Sequence, residues 1–454
     1  MYRFFENSDF TAELSHSLDQ FQDEAGNAWA FSKASKREAQ HSLIQYPAMM
    51  VPPMQRRLLQ AVDEASPGRK RLLDPFMGSG TMLTEALFGG HFFVGRDINP
   101  LAVLSCQVKS TFYDRMYLES RADHLLKRVE GDKGRSFAVK FPNYQKWFSR
   151  SAMLKLSRIY RAIEQEIDQD TRRFFWLALA ETVRLSSNSR TTTYKLHIRP
   201  KHELEHDERD VLKIFRIKLK LSISAMSEIQ EINRIHVASG TSESLPKRTP
   251  DVDIQWGNSA DVESLRSVEP VDLIFTSPPY GDNVTTVPYG QFSYLPLQWI
   301  PIDDISPGLP SKLLASTLAI DSSSLGGSKK LASEKAEILA SKSESFKNLY
   351  EDLHKLEGDY SKRVAAFSFD LISSFSIFSS KLKNKGLIFA TVGNRSVGGH
   401  VVRLDSIISE SVLSNGLVLL GEIEREIPRK RMPNRNSISA TMNKEKVLIF
   451  EKRG

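Results

Sequence analysis

The chain has 454 residues, room for two or more domains or one enlarged one, and its 40% apolar and 26% charged content is that of a folded protein. Lys and Arg exceed Asp and Glu by 62 to 55, giving a net charge of +7, a balance compatible with a polyanionic partner. The single cysteine, Cys106, excludes an internal disulfide framework and a cysteine-based zinc cluster and fits a reducing, cytoplasmic setting. No apolar run approaches the roughly 20 residues needed to span a bilayer, and the first residues lack the apolar core of a signal peptide, so no membrane partner is expected.

The first forty residues read as polar and irregular, and no internal repeat is visible. From Leu43 a pattern begins that contains Tyr46-Pro47-Ala48, and Met54 to Val62 reads as a helix. Arg71 to Asp74 is a short strand candidate, Gly78 to Thr81 a turn, Met82 to Phe88 the start of a helix, and Phe92, Phe93 and Val94 suit a buried strand ending at Asp97. Strand, Gly-rich turn, helix and strand in close succession make a βαβ start.

Residues 105–250 differ. Leu156, Ile159, Tyr160, Ile163 and Ile167 recur at helical spacing, and Phe175, Ala178, Leu179, Thr182 and Val183 form a second helix face. Phe215, Ile217, Leu219, Leu221 and Ile223 alternate with Arg216, Lys218 and Lys220, which favours a strand by period, with a helix as the alternative. Thr241 to Pro250 read as a linker. The βαβ rhythm resumes at Val252 to Asn258, and the apolar run Leu273 to Phe275 reads as a buried strand. Residues 303–345 are rich in Ser, Lys, Leu and Ala and read as a mobile insertion. A long helix is expected within Phe346 to Leu382, a strand over Gly386 to Val392, a Gly-rich turn over Gly393 to Gly399 and a helix over Leu404 to Ser414. Val418 to Glu424 and Lys446 to Glu451 read as a closing antiparallel pair.

Two motifs carry chemistry. In Asp74-Pro75-Phe76-Met77-Gly78-Ser79-Gly80-Thr81, glycines after a strand let the backbone turn sharply and approach a ligand, and the next helix offers free N–H groups. The segment has neither the Gly-Lys-(Ser/Thr) of a P-loop nor the Gly-x-Gly-x-x-Gly of a dinucleotide site. Asp97, at the end of the next strand, is placed to take ribose hydroxyls, its alternative being a turn acid before Asn99-Pro100. The second motif is Thr276-Ser277-Pro278-Pro279-Tyr280. Its prolines fix φ and remove two backbone donors, so a hydroxyl, stiff carbonyl acceptors and an aromatic face sit side by side. That set can accept from an exocyclic amino group while Tyr280 stacks on the ring. The alternative is a proline-capped strand with an ordinary loop tyrosine.

Taken together and in this order, these motifs, with Gly95-Arg96-Asp97-Ile98-Asn99-Pro100, resemble those of the amino-directed DNA methyltransferases, S-adenosylmethionine-dependent enzymes that modify N4 of cytosine or N6 of adenine. Tyr46-Pro47-Ala48 resembles the N-terminal cofactor-flanking motif of that family. Gly386 to Phe389 and Ile427-Pro428-Arg429-Lys430-Arg431 are similar to its late motifs. The resemblance covers residues 42–104 and 252–300 well and 385–451 loosely. It implies an α/β, Rossmann-like seven-stranded methyltransferase sheet with a mostly helical inserted domain. Residues 1–104 would carry the cofactor-binding part, 105–250 a candidate DNA-recognition domain and 251–454 the catalytic part.

The resemblance further implies S-adenosylmethionine as cofactor, held by Tyr46, Pro47, Asp74, Phe76, Gly78, Gly80, Thr81, Asp97, Ile98 and Asn258. Asn258 stands where the family usually has an Asp that contacts the adenine amino group. Ser277, Pro278, Pro279 and Tyr280 would be the catalytic set. Hydrogen bonds from the amine to Ser277 and the Pro278 carbonyl would draw its nitrogen toward sp³ geometry, so that positioning and electrostatics supply the gain. The base must leave the duplex stack to reach them. C5-cytosine methylation is disfavoured, because it needs a thiolate and Cys106 lies in an apolar context.

Arg190, Lys195 and Arg199 lie in a basic stretch that reads as a duplex-binding loop or as a solvated surface. Arg429, Lys430 and Arg431 belong to the densest basic run and read as phosphate contacts. The histidines show no metal spacing, so no metal is expected. Ser-Pro-Pro-Tyr leans to cytosine N4 within the family, with adenine N6 as the alternative. The expected function is site-specific methylation of double-stranded DNA in restriction–modification or related defence, with a cognate restriction endonuclease as a possible partner. An RNA guanine-N2 methyltransferase and a catalytically silent DNA-binding subunit are the rival readings.

Overall fold

A computed structural model describes residues 2–5, 9–19, 29, 43–207, 209–234, 247–249, 251–282, 287–427 and 444–453. Its strands in chain order are β1 (Tyr2–Phe4), β2 (Arg71–Asp74), β3 (Phe92–Asp97), β4 (Thr111–Phe112), β5 (Lys247–Arg248), β6 (Val252–Trp256), β7 (Val271–Thr276), β8 (Leu382–Val392), β9 (Arg395–Val397), β10 (His400–Val402), β11 (Leu417–Glu426) and β12 (Lys444–Lys452). Eight of them form one sheet in the order β1-β11-β12-β8-β7-β2-β3-β6. From β6 to β8 the neighbours are parallel, and β12, β11 and β1 add on antiparallel.

This order places the site. The chain runs outward from β2 to β3 and β6, then returns to the other side of β2 to lay down β7 and β8. The crevice at the carboxyl ends of β2 and β7 is therefore a topological switch point, where open α/β sheets bind their ligands. Buried strand residues alternate between two cores. Leu72, Phe93, Leu273, Phe275 and Phe389 face one, and Leu73, Val94, Ile274 and Ile388 face the other. Both faces are covered, which is why these strands read as continuous apolar runs.

The sheet has one strand more than the expected seven, because residues 2–4 pair with β11 along the edge. The N-terminal region is also less irregular than expected. A helix over Asp9–Asp19 buries Leu14 and Leu18 in the same core as Leu58 and Leu59 of the helix Pro52–Ala65.

Two further expectations are corrected. The alternating stretch 215–223 lies in a helix, Val211–Arg234, not a strand. Phe215, Leu219, Ile223 and Met226 are buried at helical spacing, whereas Ile217 and Leu221 are 49% and 57% exposed. An alternating run contains an i, i+4 subset, and packing against Gln169–Ser186 and Arg115–Gly131 selects that subset. The segment 303–345 is not a loose insertion. It forms short helices at Ile302–Ile305, Ala319–Ser323 and Ala332–Ala340 and buries Leu313, Ile320, Leu325 and Leu339. The long helix expected within Phe346 to Leu382 is found as Tyr360–Ser380, and a shorter helix, Glu344–His354, precedes it after a break. Gly358, at a φ of +107°, makes the break.

The helices between β4 and β5 share one apolar core with the sheet. Leu125, Ile159, Phe175 and Phe215 belong to the same buried cluster as Leu72 and Phe275. Asp304 links the two insertions by accepting hydrogen bonds from Arg172 Nε at 2.7 Å and Trp176 Nε1 at 2.7 Å.

Candidate active site

A cavity of about 800 Å³ opens at the switch point. Tyr46, Pro47, Phe76, Gly78, Thr81, Asp97, Ile98 and Asn258 line it, as do Ser277 and Pro279. Two motifs some 200 positions apart thus meet on one wall, because β2 and β7 are hydrogen-bonded neighbours. Asp74, Gly80, Pro278 and Tyr280 do not line the cavity.

The Gly-rich turn is built from behind. Gly78 and Gly80 take φ of +51° and +81°, and a Cβ at Gly80 would stand 2.8 Å from Cys106 Sγ. The helix Pro100–Lys109 directs three donors at the turn's carbonyls. Lys109 Nζ donates to Ser79 O at 2.6 Å, Ser105 Oγ to Ser79 O at 3.5 Å and Cys106 Sγ to Gly78 O at 3.4 Å. Burial pushes the Lys109 ammonium down to about 8 and the Cys106 thiol far up, so Cys106 is a packing residue.

Asp97 reaches the cavity from the end of β3. Its Oδ2 accepts from Gly78 N at 2.8 Å and its Oδ1 from Asn99 N at 2.8 Å. Each oxygen keeps a lone pair for a further donor, which is what a vicinal diol offers. Burial raises its carboxyl to about 6, against the pull of those two amides. Asp74 lies deeper. Its Oδ1 accepts from Phe76 N at 3.0 Å, while Oδ2 lies beside the Thr276 hydroxyl without a well-formed hydrogen bond. Burial above all, and then the charge of Asp97, raise Asp74 to about 8. These two buried carboxyls and the glycine cradle fit a cofactor carrying ribose hydroxyls and positive charge.

Several lining residues gave no signal in the sequence. Tyr289 faces Tyr46 with ring centroids 5.9 Å apart and planes 29° apart. Asn99 Nδ2 donates to Tyr46 Oη at 2.9 Å and to Ser293 Oγ at 2.7 Å, tying three segments together. Ile320, Ser324 and Leu325, from the stretch expected to be loose, close one side of the cavity. Asp321 anchors that stretch by accepting from Gly290 N at 2.8 Å. Asn258 has both ends engaged, its Oδ1 accepting from Ala260 N at 3.0 Å and its Nδ2 donating to Ser323 O at 3.2 Å, which leaves a lone pair and one N–H.

At the end of β7, Ser277 Oγ lies 3.4 Å from Tyr280 Oη, which is 3.3 Å from Glu445 Oε1. Burial and then the Glu445 charge push the Tyr280 hydroxyl well above its ordinary range. Of the basic residues expected on DNA, Arg190 and Lys195 are exposed and border a smaller cavity with Arg184, Tyr194 and Phe292. Arg199 is instead tied to Asp207, which also holds Arg209. Arg429, Lys430 and Arg431 lie outside the described residues. Among the described residues, no group of His, Cys, Asp and Glu side chains could hold a metal, and no helix is long and apolar enough to cross a membrane.

No family model matches the chain. It is 29% identical over 440 residues to the Type II methyltransferase M.MvaI of Kocuria varians, covering 93% of each protein. Superposition on the rRNA methyltransferase aviRa from Streptomyces viridochromogenes covers 94% of this chain and 95% of the other. The TM-score of 0.31 and 11% identity make that likeness too loose to carry an argument. The relative, matched over 93% of its length, supports a methyltransferase whose methyl donor is S-adenosylmethionine.

Proposed function

We propose that the protein methylates an exocyclic ring amine in double-stranded DNA, at cytosine N4 rather than adenine N6. The observation that carries this reading is the position of Ser277 and Pro279 on the wall of the cavity that holds Asp97 and the Gly-rich turn. S-adenosylmethionine, when bound, supplies a methyl group on a cationic sulfur. The chain's own residues hold the amine. Ser277 Oγ and the Pro278 carbonyl are acceptors for its two N–H groups, and the Pro278 carbonyl takes no hydrogen bond among the described residues. An arylamine is a weak nucleophile because its lone pair delocalises into the ring, and two acceptors out of the ring plane reverse that. Tyr280 supplies an aromatic face for a base removed from its stack.

DNA as the substrate is supported by the Type II designation of the relative, by the excess of basic residues, and by exposed Arg190 and Lys195 beside the helix Tyr289–Leu297. Arg429, Lys430 and Arg431 are proposed to join them on the phosphates. The helices between residues 105 and 250 are the proposed recognition part, and a cognate endonuclease and a cytoplasmic setting go with a restriction–modification role. Serine at position 277 supports cytosine over adenine through the family resemblance. The test is incubation with labelled S-adenosylmethionine and unmethylated mixed-sequence duplex DNA, followed by nucleoside analysis. Label in N4-methylcytosine is expected. Label in N6-methyladenine would overturn the choice of base, and label in RNA alone would overturn DNA.

A further inference from the structure

Glu445 is remote in sequence from every motif described above, yet it touches the catalytic turn. Topology puts it there. Thr276, the last residue of β7, pairs with Ala390 of β8, and Val392 of β8 pairs with Lys446 of β12. Glu445 is one residue before Lys446 in β12, past the end of that pairing, and contacts Tyr280. Directly across the antiparallel pair stands Arg425 of β11, whose guanidinium Nη2 donates to Glu445 Oε2. The Arg425 side chain is only 4% exposed, and its Nε and Nη1 find no acceptor among the described residues. Among the described residues, its side-chain hydrogen bonding goes to Glu445.

We propose that Glu445, oriented by Arg425, is a positioning residue that sets the direction of a hydrogen-bond relay and so makes Ser277 an obligate acceptor for the substrate amine. The inference rests on the amine-methylation reading. Direction follows from the donor inventory. An ionised carboxylate only accepts, so the Tyr280 hydroxyl donates to Glu445 Oε1 across 3.3 Å. Tyr280 keeps its proton to give, since burial and the adjacent negative charge hold that proton on. The Tyr280 oxygen is then an acceptor, and Ser277 donates its single proton to it across 3.4 Å. With that proton committed, Ser277 presents only lone pairs to the cavity. A serine without the relay could rotate and aim its O–H at the amine lone pair, the electrons needed for transfer. Both contacts are at the long end of hydrogen bonding, as catalytic hydrogen bonds are before substrate tightens them.

Glu445→Gln tests the direction rather than the presence of the relay. Arg425 only donates, so it claims the amide oxygen and turns the NH₂ group toward Tyr280. Tyr280 must then donate to Ser277, and the Ser277 proton points the wrong way. The single-turnover rate of methyl transfer to duplex DNA is expected to fall at least ~10-fold, the worth of one misdirected hydrogen bond. Cofactor affinity by calorimetry should stay within about twofold, since Glu445 does not line the cavity. Tyr280→Phe keeps the ring and removes the relay, so its rate also falls, and adding Glu445→Gln to it should cost nothing more. A full Glu445→Gln penalty in the Tyr280→Phe background, or wild-type rates in either single variant, would overturn the proposal. Should Glu445→Gln not fold, the Tyr280→Phe rate alone decides. Failure of the unaltered protein to methylate any DNA amine would instead sink the functional reading beneath it.

Discussion

Replacing Gly80 by alanine attacks the Gly-rich turn, expected to hold the cofactor, at its most constrained point. Two costs can be worked from the structure. A φ of +81° is left-handed, which costs a residue with a Cβ about 1–2 kcal/mol. The new Cβ would also stand 2.8 Å from Cys106 Sγ and 3.3 Å from Leu83 Cδ2, an overpacking that adds about 1–3 kcal/mol. Cys106 cannot retreat, because its helix is buried and its Sγ faces Gly78 O. The turn therefore moves, and the cofactor meets the moved turn. Even the lower sum of about 2 kcal/mol predicts a roughly 30-fold loss of S-adenosylmethionine affinity. Titration calorimetry reads that loss and thermal melting reads the stability. Gly80→Ala with Cys106→Ala separates the terms, because removing the sulfur relieves the clash and leaves the φ cost. Recovery of part of the affinity is expected. A Gly80→Ala protein that binds cofactor within twofold of wild type, with an unchanged melting temperature, would refute this account of the turn.

Protonation of the buried carboxyls predicts a pH dependence. Burial raises Asp74 to about 8 and Asp97 to about 6, so from about pH 4 upward the folded state holds protons that the unfolded state has lost. Stability of the ligand-free protein should therefore fall between about pH 4 and pH 8 at these sites, and Asp74→Asn should flatten that slope in denaturant titrations. Cofactor binding, which favours both carboxylates, should release protons near pH 7, visible as heats that depend on the buffer's ionisation enthalpy. Asp97→Ala should lose S-adenosylmethionine binding by calorimetry, through both the lost acceptors and the freed Gly78 amide. Lys109→Met should raise the KM for S-adenosylmethionine about 10-fold at unchanged KM for DNA, since it removes the 2.6 Å support of the Ser79 carbonyl; equal changes in both would refute a local role.

The two stretches that meet at the candidate site carry local patterns in the sequence. Asp74 to Thr81, Asp97 and Ser277 to Tyr280 are local patterns at strand ends, where glycine and proline leave signatures that depend on no distant partner. The parallel core was legible for the same reason, as apolar runs closed by turn residues. What required the folded chain was every relation between distant residues. Whether 215–223 turned strand or helix depended on which side chains had partners, not on the alternation. The segment 303–345 looked loose because its Leu and Ala are interspersed with Ser and Lys without a clear period, yet Ile320 and Leu325 are buried and line the candidate cavity. Lys109, Tyr289 and Glu445 belong to no motif, and only strand order and helix packing bring them to Ser79, Tyr46 and Tyr280 respectively. Sequence determined the local strand-end motifs on which the proposed chemistry rests. The tertiary structure decided which neighbours aim them, because hydrogen-bond direction and burial are properties of pairs that meet only on folding.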